Sequence, residues 1–274
     1  MENISLLYDE DCPLCRWYTR LFVKYGLLDQ SGRIPYIKYA ALHPDEVDST
    51  IAQTKIACVN HETNQILYGI DGLVLILGKR FKIIQILGNF KPINILLKLL
   101  YLFISYNRKV IAPSPKRSIE CTCEPTKSIL WRIIFIVSLS FFTYLIVSWY
   151  FEHFLAQHML TNTPNDLILL LAQIGFQWGA FALFRQKNSY DYLGHLVFTS
   201  FLGALLLFLF GSGLQILNLF GIQTEFLAIV CYGVTILFMF LEHKRRIQLK
   251  AWTWKLTISW VVFRILIYPL VFQI

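Results

Sequence analysis

Charged residues are scarce in this chain of 274 residues: they make up 15% of it, whereas 56% of the residues are hydrophobic. A soluble domain typically has about 25% charged and roughly 45–50% apolar residues. The composition excludes a chain that is soluble along its whole length, and it predicts that part of the chain lies in lipid. The start, MENISLLYDEDC, also lacks a basic region followed by an apolar core, so no cleavable export signal is expected.

The apolar residues are concentrated in the second half of the chain. Up to about Lys127, short apolar runs alternate with charged turns, and beyond it the apolar stretches are long. The segment APSPKRSIECTCEPTKS, residues 112–128, carries three prolines and no apolar periodicity, as an irregular connector does. These shifts predict a domain at 1–111, a linker at 112–128 and a transmembrane helical domain at 129–274.

Five apolar windows follow the linker. A helix that crosses the hydrocarbon core of a bilayer needs roughly 20 residues, so we expect an all-α bundle of about five membrane-spanning helices. The windows are Ile129–Tyr150, Leu167–Phe184, Tyr192–Phe210, Phe226–Leu241 and Thr253–Phe272.

Lysine and arginine collect in the second and fourth loops, RQKN and EHKRRIQLK, whereas the first and third loops have none. Short cytoplasmic loops retain these residues, and the linker is basic as well. We therefore expect a multi-pass protein of a bacterial inner membrane, with the N-terminal domain in the cytoplasm and the C-terminus outside. The net charge of +8 suits an anionic leaflet, so membrane lipid is the expected partner and nucleic acid is not.

Few polar side chains interrupt the apolar windows. Arg264 lies near the middle of the last window, where an arginine is costly unless it faces the bundle interior or snorkels. Gln173 and Gln177, four residues apart on the second window, are spaced to present a polar face to it. Two interpretations stay open: a polar pocket for a headgroup, a quinone or a relay, and an interhelical hydrogen-bond cluster.

Two cysteines near the start of the chain follow an apolar run, NISLLY, and begin a helical pattern, CPLCRWYTRLFVKYGL. Pro13 suits the first helical position, which leaves Cys12 at or next to the N-cap. The unpaired amides and the positive end of the helix stabilise a thiolate there. Cys12 is therefore the candidate nucleophile and Cys15 the resolving thiol, and we expect Cys12 to be reachable from the cell interior.

The charges around the pair predict its redox character. Asp9, Glu10 and Asp11 oppose a thiolate, whereas Arg16 favours it. A less depressed thiol pKa goes with a more strongly reducing couple. We expect a reducing couple, closer to thioredoxin than to the oxidant of the bacterial periplasm.

The rest of the first domain is predicted to contain both strands and helices. IPYIKYAAL predicts a strand, HPDEVDSTIAQ a short helix, and KIACVNHETNQILYG two strands joined by a turn, before two helical stretches. The order β-α-β-α-β-β-α resembles the thioredoxin fold, in which a strand is followed at once by C-x-x-C and a helix.

The sequence resembles the DCC family of thiol-disulfide oxidoreductases. Asp9, Cys12 and Cys15 in YDEDCPLC carry the first similarity, LYGIDGLVLILGKR the second and LYLFISYNRKVI the third, within about the first 120 residues. The resemblance implies an α/β thioredoxin-like domain and Asp9 as a third catalytic residue beside the dithiol. From its residue type alone, Asp9 could equally be a turn or helix-capping acceptor.

The other cysteines leave alternatives open. Cys121 and Cys123 lie in the linker and could serve as a redox relay, join the dithiol in a four-thiolate zinc site, or form an exposed pair without a role. Cys58, in an apolar strand, is expected in the core, and Cys231 is expected to be a packing residue. No resident metal or cofactor is predicted.

Together these observations predict a membrane-anchored enzyme that exchanges disulfides through Cys12 and Cys15 on the cytoplasmic side. Its partner would be a protein thiol or disulfide, which could belong to a membrane complex. A second interpretation is a non-catalytic docking or structural subunit of such a complex. A third is a quinone-linked membrane redox protein that uses Arg264 and the two glutamines.

Overall fold

The computed structural model describes residues 4–44, 46–115, 128–156 and 163–271. The chain divides into two compact units, Met1–Trp131 and Arg132–Ile274. Cys121 and Cys123, the possible relay or zinc ligands, lie outside the described residues. The two units are each described by themselves below.

The first unit is built on a four-stranded sheet with the order β2-β1-β3-β4. The strands are β1 (Ile4–Tyr8), β2 (Arg33–Pro35), β3 (Ala57–Asn60) and β4 (Gln65–Tyr68). β1 runs parallel to β2 and antiparallel to β3, which in turn is antiparallel to β4. Leu6 is the register partner of Arg33 on one side and of Cys58 on the other. β1 therefore lies between two neighbours and is buried along its whole length.

Six helices accompany this sheet in the described part of the unit. They are α1 (Pro13–Lys24), α2 (Tyr36–Leu42), α3 (Ser49–Thr54), α4 (Ile70–Arg80), α5 (Lys82–Asn89) and α6 (Lys91–Ile111). The prediction of a strand over IPYIKYAAL is wrong beyond Pro35, where α2 begins. Its residues include good helix formers such as Ala40 and Ala41, and Tyr39 is the residue of α2 that is buried.

Alternate residues of the central strands pack into two separate cores, as a sheet covered on both faces requires. Leu6 and Cys58 contribute to one core, which also holds Cys12 and Cys15. Leu7 contributes to the other core. Cys58 thus lies in the core, where burial raises its pKa to about 11 and keeps it a thiol near neutral pH.

Helix α4 approaches the sheet closely at a glycine. A Cβ atom added to Gly72 would lie 2.6 Å from the Cβ of Cys58, which is less than two side chains tolerate. The glycine in LYGIDGL therefore allows α4 to lie directly on β3.

Helices α5 and α6 meet at an angle of 95°. They expose a row of large apolar side chains: Ile83, Ile86, Leu87, Phe90, Ile95, Leu96, Leu99 and Leu100. A contiguous apolar surface of this kind marks a place of contact with lipid or protein.

The second unit is entirely helical in the described residues. Its helices are α7 (Ile129–Tyr150), which begins before the unit boundary and continues as a π-helical turn over Phe151–Leu155, α8 (Thr163–Leu183), α9 (Ser189–Leu219), α10 (Glu225–Leu249) and α11 (Lys255–Val271). Among the residues described, three helical stretches are long and apolar enough to cross a membrane: Ile129–Leu155, Ser189–Leu219 and Glu225–Leu249. These stretches indicate a membrane protein in contact with lipid.

Two predicted boundaries shift in this unit. The basic stretch EHKRRIQLK was predicted as a loop, but α10 continues through it to Leu249. The reason is that Arg246 is buried and hydrogen-bonded to Glu242, one turn earlier, so the helix continues to pack beyond the apolar window. The third helix, α9, extends to Leu219 rather than Phe210.

Replacing Gly72 with alanine should destabilise the first unit by about 1–3 kcal/mol, because overpacking a tight core contact costs free energy of this size. Thermal unfolding of the purified protein in detergent measures the effect. Gly179→Ala is the matched control, since a Cβ at Gly179 meets nothing within 4 Å. Equal stability of the two variants would contradict the close approach of α4 to β3.

Candidate active site

Cys12 occupies the N-cap of α1. Its backbone is extended, with φ −91° and ψ 111°, and Pro13 follows at the first helical position. The Sγ atom of Cys12 accepts a hydrogen bond from the backbone N–H of Cys15 at 3.4 Å. The sulfur therefore takes the place that a serine or aspartate oxygen fills in an ordinary helix cap, and it lies where the helix presents unpaired amides.

The two thiols of the pair have opposite tendencies to ionise. The hydrogen bond from the Cys15 side chain lowers the pKa of Cys12 most, and nearby Arg108 and the Cys15 amide lower it further. These effects outweigh burial and the Asp9 charge, so the pKa of Cys12 falls to about 7. The same hydrogen bond, together with burial, raises the pKa of Cys15 well above its ordinary value. Near neutral pH Cys12 is thus partly ionised, while Cys15 keeps its proton.

Asp9 lies in the turn between β1 and α1. Its Oδ1 atom accepts a hydrogen bond from the backbone N–H of Asp11 at 3.0 Å, and its carbonyl accepts from the N–H of Cys12 at 3.3 Å. Its Oδ2 atom accepts from the guanidinium of Arg108 at 2.8 Å. Asp9 therefore shapes the turn that delivers Cys12 and also holds a cation beside it.

Arg108, near the end of α6, supplies the positive charge near Cys12 that we expected from Arg16. Arg16 is exposed on α1, whereas the Arg108 side chain is only 7% exposed and forms an ion pair with Asp9. Because a buried charge is screened less than an exposed one, Arg108 acts more strongly on the dithiol. The sequence did offer one indication of Arg108: a cation at the end of an apolar helix, in the NRK stretch of α6.

Further contacts fix the helix that carries the dithiol. The hydroxyl of Thr19 donates to the carbonyl of Cys15 at 2.7 Å and accepts from Nε of Arg33 at 2.9 Å. Tyr18 lies near Cys15, and burial raises the pKa of its hydroxyl well above the ordinary value. The contact between Thr19 and Arg33 ties α1 to β2, and the Tyr18 hydroxyl near Cys15 stays neutral near pH 7.

The exposure of Cys12 differs from the expectation of an open approach. Cys12 is 2% exposed and Cys15 is 6% exposed, and both belong to the core of the first unit. The cap geometry itself causes this burial, because the sulfur turns back over the first turn of α1 instead of pointing away from it. A disulfide reaches Cys12 from this arrangement only after a local opening.

The polar residues predicted within the membrane lie in the second unit. Gln177 accepts hydrogen bonds through Oε1 from Tyr192 at 2.5 Å and from Ser259 at 3.2 Å. Gln173 and Arg264 instead line one cavity. The three residues therefore do not form the single polar face that we predicted. Gln177 belongs to an interhelical hydrogen-bond cluster, whereas Gln173 and Arg264 line a cavity.

Within the described residues, no group of three or more His, Cys, Asp or Glu side chains is placed to hold a metal ion. Cys58 contributes its sulfur to the core beside Gly72, as noted above. The described cysteines Cys12, Cys15, Cys58 and Cys231 are all free thiols.

Replacing Arg108 with glutamine should raise the pKa of Cys12 and slow its alkylation. The thiolate is the reactive form, so the rate rises as the pH increases through the pKa, with a midpoint at about 7 in the wild type. The variant should have its midpoint at higher pH and react more slowly at pH 7 by a factor on the order of ten, the effect that one nearby opposite charge typically has. Iodoacetamide kinetics with mass-spectrometric site assignment measure both.

Arg16→Gln removes the same charge from the exposed face of α1 and should leave the profile unchanged. The double variant Asp9→Asn, Arg108→Gln removes both buried charges, so a loss of folding caused by an unpaired carboxylate is avoided. It should also have a raised midpoint, because Arg108 affects Cys12 more strongly than Asp9 does. An Arg16 effect as large as the Arg108 effect would refute the assignment.

Comparison with known proteins gives no further assignment for this site: no family model, no curated protein and no solved structure matches the chain.

Proposed function

We propose that this chain is a membrane-anchored thiol-disulfide oxidoreductase that works through Cys12 and Cys15. The observation that carries the proposal is the asymmetry of the pair. One sulfur caps a helix and is partly ionised near neutral pH, while the other, one turn later, retains its proton. A nucleophile and a resolving thiol need these two states for exchange.

The reaction follows from this arrangement. The Cys12 thiolate attacks one sulfur of a partner disulfide, the partner's S–S bond breaks, and the departing thiolate takes up a proton. Cys15 then gives up its proton and attacks the Cys12 sulfur of the mixed disulfide. The second partner thiol leaves, and a Cys12–Cys15 disulfide remains. The partner gains two electrons and two protons. The dithiol supplies both electrons and the proton of Cys15, and the second proton comes from solvent, which received it when Cys12 ionised.

Fold and family belong to this proposal. We assign the first unit to the thioredoxin-like domains of the DCC family, to which its sequence is similar. Support comes from β1 followed at once by the C-x-x-C and α1, and from the antiparallel pair β3 and β4 followed by α4. An extra helix, α2, follows β2. Asp9 fits the family motif through its contacts, as a positioning residue that holds Arg108 and the turn.

A cytoplasmic location of the first unit is also proposed. Arg246, near the end of α10, lies 3.0 Å from Nδ1 of His195, near the start of α9. Arg132, at the start of α7, donates to Asp191 of α9 at 3.1 Å. The basic end of α10 and the starts of α7 and α9 therefore share one end of the bundle. By the positive-inside rule this end faces the cytoplasm, and the first unit is attached to it.

Burial of Cys12 favours a second candidate function. A dithiol with 2% exposure at the nucleophile would also suit a domain that docks in a membrane complex and performs no exchange. The two candidates differ in what the sulfurs must do: exchange needs both, whereas docking needs only the surrounding fold. Arg108 and the shifted pKa of Cys12 favour exchange.

Substituting the two cysteines singly tests exchange in the full-length protein. Cys12→Ser should abolish reduction of a model disulfide, because the attacking thiolate is gone. Cys15→Ser should retain the first step and accumulate a mixed disulfide with the partner, visible on non-reducing gels as a reductant-sensitive adduct. Activity that survives in Cys12→Ser would rule out the proposed mechanism.

The double variant Cys12→Ser, Cys15→Ser separates exchange from docking in cells. Serine preserves the shape of the cap, so the fold should persist, and thermal unfolding checks this. Loss of the cellular phenotype supports exchange. A preserved phenotype together with a folded variant supports the docking function.

A further inference from the structure

The second unit contains a cavity of about 510 Å³ among its five helices. This volume lies within the range of sites that hold small molecules, about 300–1,000 Å³. The wall is largely apolar, and its apolar side chains include Phe151, Leu169, Leu170, Leu207, Ile236 and Phe263. Such a wall suits a hydrocarbon chain or ring system.

Three polar side chains from three different helices converge on this cavity. Thr143 belongs to α7, Gln173 to α8 and Arg264 to α11. Thr143 is 4% exposed and Gln173 is 5% exposed. Thr143 Oγ1, Gln173 Nε2 and Arg264 Nε are buried atoms without a hydrogen-bond partner in the described chain. Buried polar groups in native proteins are nearly always paired, so these three atoms indicate a missing acceptor.

The charge of Arg264 specifies that acceptor. A guanidinium stays protonated in a protein, and a cation within an apolar bundle is costly unless it is paired. Its neighbour on α11 is the ring of Trp260, 5.0 Å from the guanidinium carbon, and no described Asp or Glu lines the cavity. All three unsatisfied atoms can donate, and the guanidinium suits a bidentate carboxylate or phosphate.

Two other arginines of the same unit have an acidic partner. Arg246 pairs with Glu242 at 2.8 Å, and Arg132 pairs with Asp191 at 3.1 Å. Gln177, one turn along α8 from Gln173, accepts two hydrogen bonds through Oε1, although its Nε2 atom also has no partner in the described residues. Within the described residues Arg264 therefore has no anionic partner, in contrast to the other two arginines, and it lines a cavity.

We propose that this cavity binds an amphiphile with an apolar body and an anionic head, with Arg264, Gln173 and Thr143 holding the head. A fatty-acid carboxylate and a lipid phosphate share this chemistry. The site lies entirely in the second unit and involves neither cysteine of the dithiol. It therefore stands or falls independently of disulfide exchange.

Three probes with the same chain test the site in the purified full-length protein in dodecyl maltoside: palmitate, hexadecyl phosphate and hexadecan-1-ol. A ligand that binds the folded state raises its stability, so thermal unfolding and native mass spectrometry report binding. At least one anionic probe should bind and hexadecan-1-ol should not. Binding of palmitate alone identifies a carboxylate site, and binding of hexadecyl phosphate alone identifies a site for a phosphate head.

Variants separate the head-binding role of Arg264 from a structural one. Arg264→Met should weaken binding of the anionic probe tenfold or more, as loss of a charge-assisted hydrogen bond does, while Arg264→Lys should weaken it less. Without a probe, Arg264→Met should be at least as stable as the wild type, because it removes an unpaired cation. Arg245→Gln removes a half-exposed positive charge outside the cavity and should bind as the wild type does.

Three results would overturn the proposal. The first is equal binding of hexadecan-1-ol and the anionic probes, and the second is unchanged binding by Arg264→Met. The third is the absence of binding by every probe, together with a large loss of stability in Arg264→Met, which would assign Arg264 a purely structural role.

Discussion

The capping of α1 by the Cys12 sulfur is the arrangement on which the ionisation of the dithiol depends. It requires three conditions at once: an extended residue at the N-cap, a proline that starts the helix, and a strand that ends directly before the turn. When they are met, the helix amides and the Cys15 thiol both stabilise a charge on one sulfur. The same geometry buries that sulfur, so activation and restricted access arise from a single cause.

The ion pair between Asp9 and Arg108 joins the two ends of the first unit around this sulfur. The residues are 99 positions apart, and both side chains are nearly buried. A buried ion pair contributes little net stability, but removing one partner is strongly destabilising. The pair therefore makes the position of α6 and the charge near Cys12 depend on each other. A change in how α6 lies would alter the ionisation of the dithiol.

The sequence was sufficient to predict structural features that depend on contacts between residues close together in the chain. The cap at Cys12 follows from Pro13 and from the apolar run before it, and the turn between β3 and β4 follows from the polar residues that separate two short strands. Contacts between residues far apart in the sequence could not be predicted. Arg108 acts on Cys12 from the far end of the unit, and its position at the end of an apolar helix does not indicate which residue it contacts.

In the second unit, hydropathy located the apolar helices but not their ends. Ion pairs such as Arg246–Glu242 extend α10 beyond its apolar window, and hydropathy does not register them. Hydropathy also does not distinguish the environments of Gln173 and Gln177. Identical residues four positions apart face a cavity in one case and a hydrogen-bond cluster in the other, because helices far along the chain supply the partners.

A redox titration of the Cys12–Cys15 pair tests the central claim most directly. The full-length protein, with its other cysteines replaced by alanine, is equilibrated in thiol-disulfide buffers, and free thiols are then trapped with a maleimide and counted by mass. With Cys12 ionising at about pH 7, as the thioredoxin nucleophile does, the pair should form one reversible disulfide with a potential near about −270 mV. A potential near about −120 mV, or no disulfide between these two residues at any poise, would contradict the account.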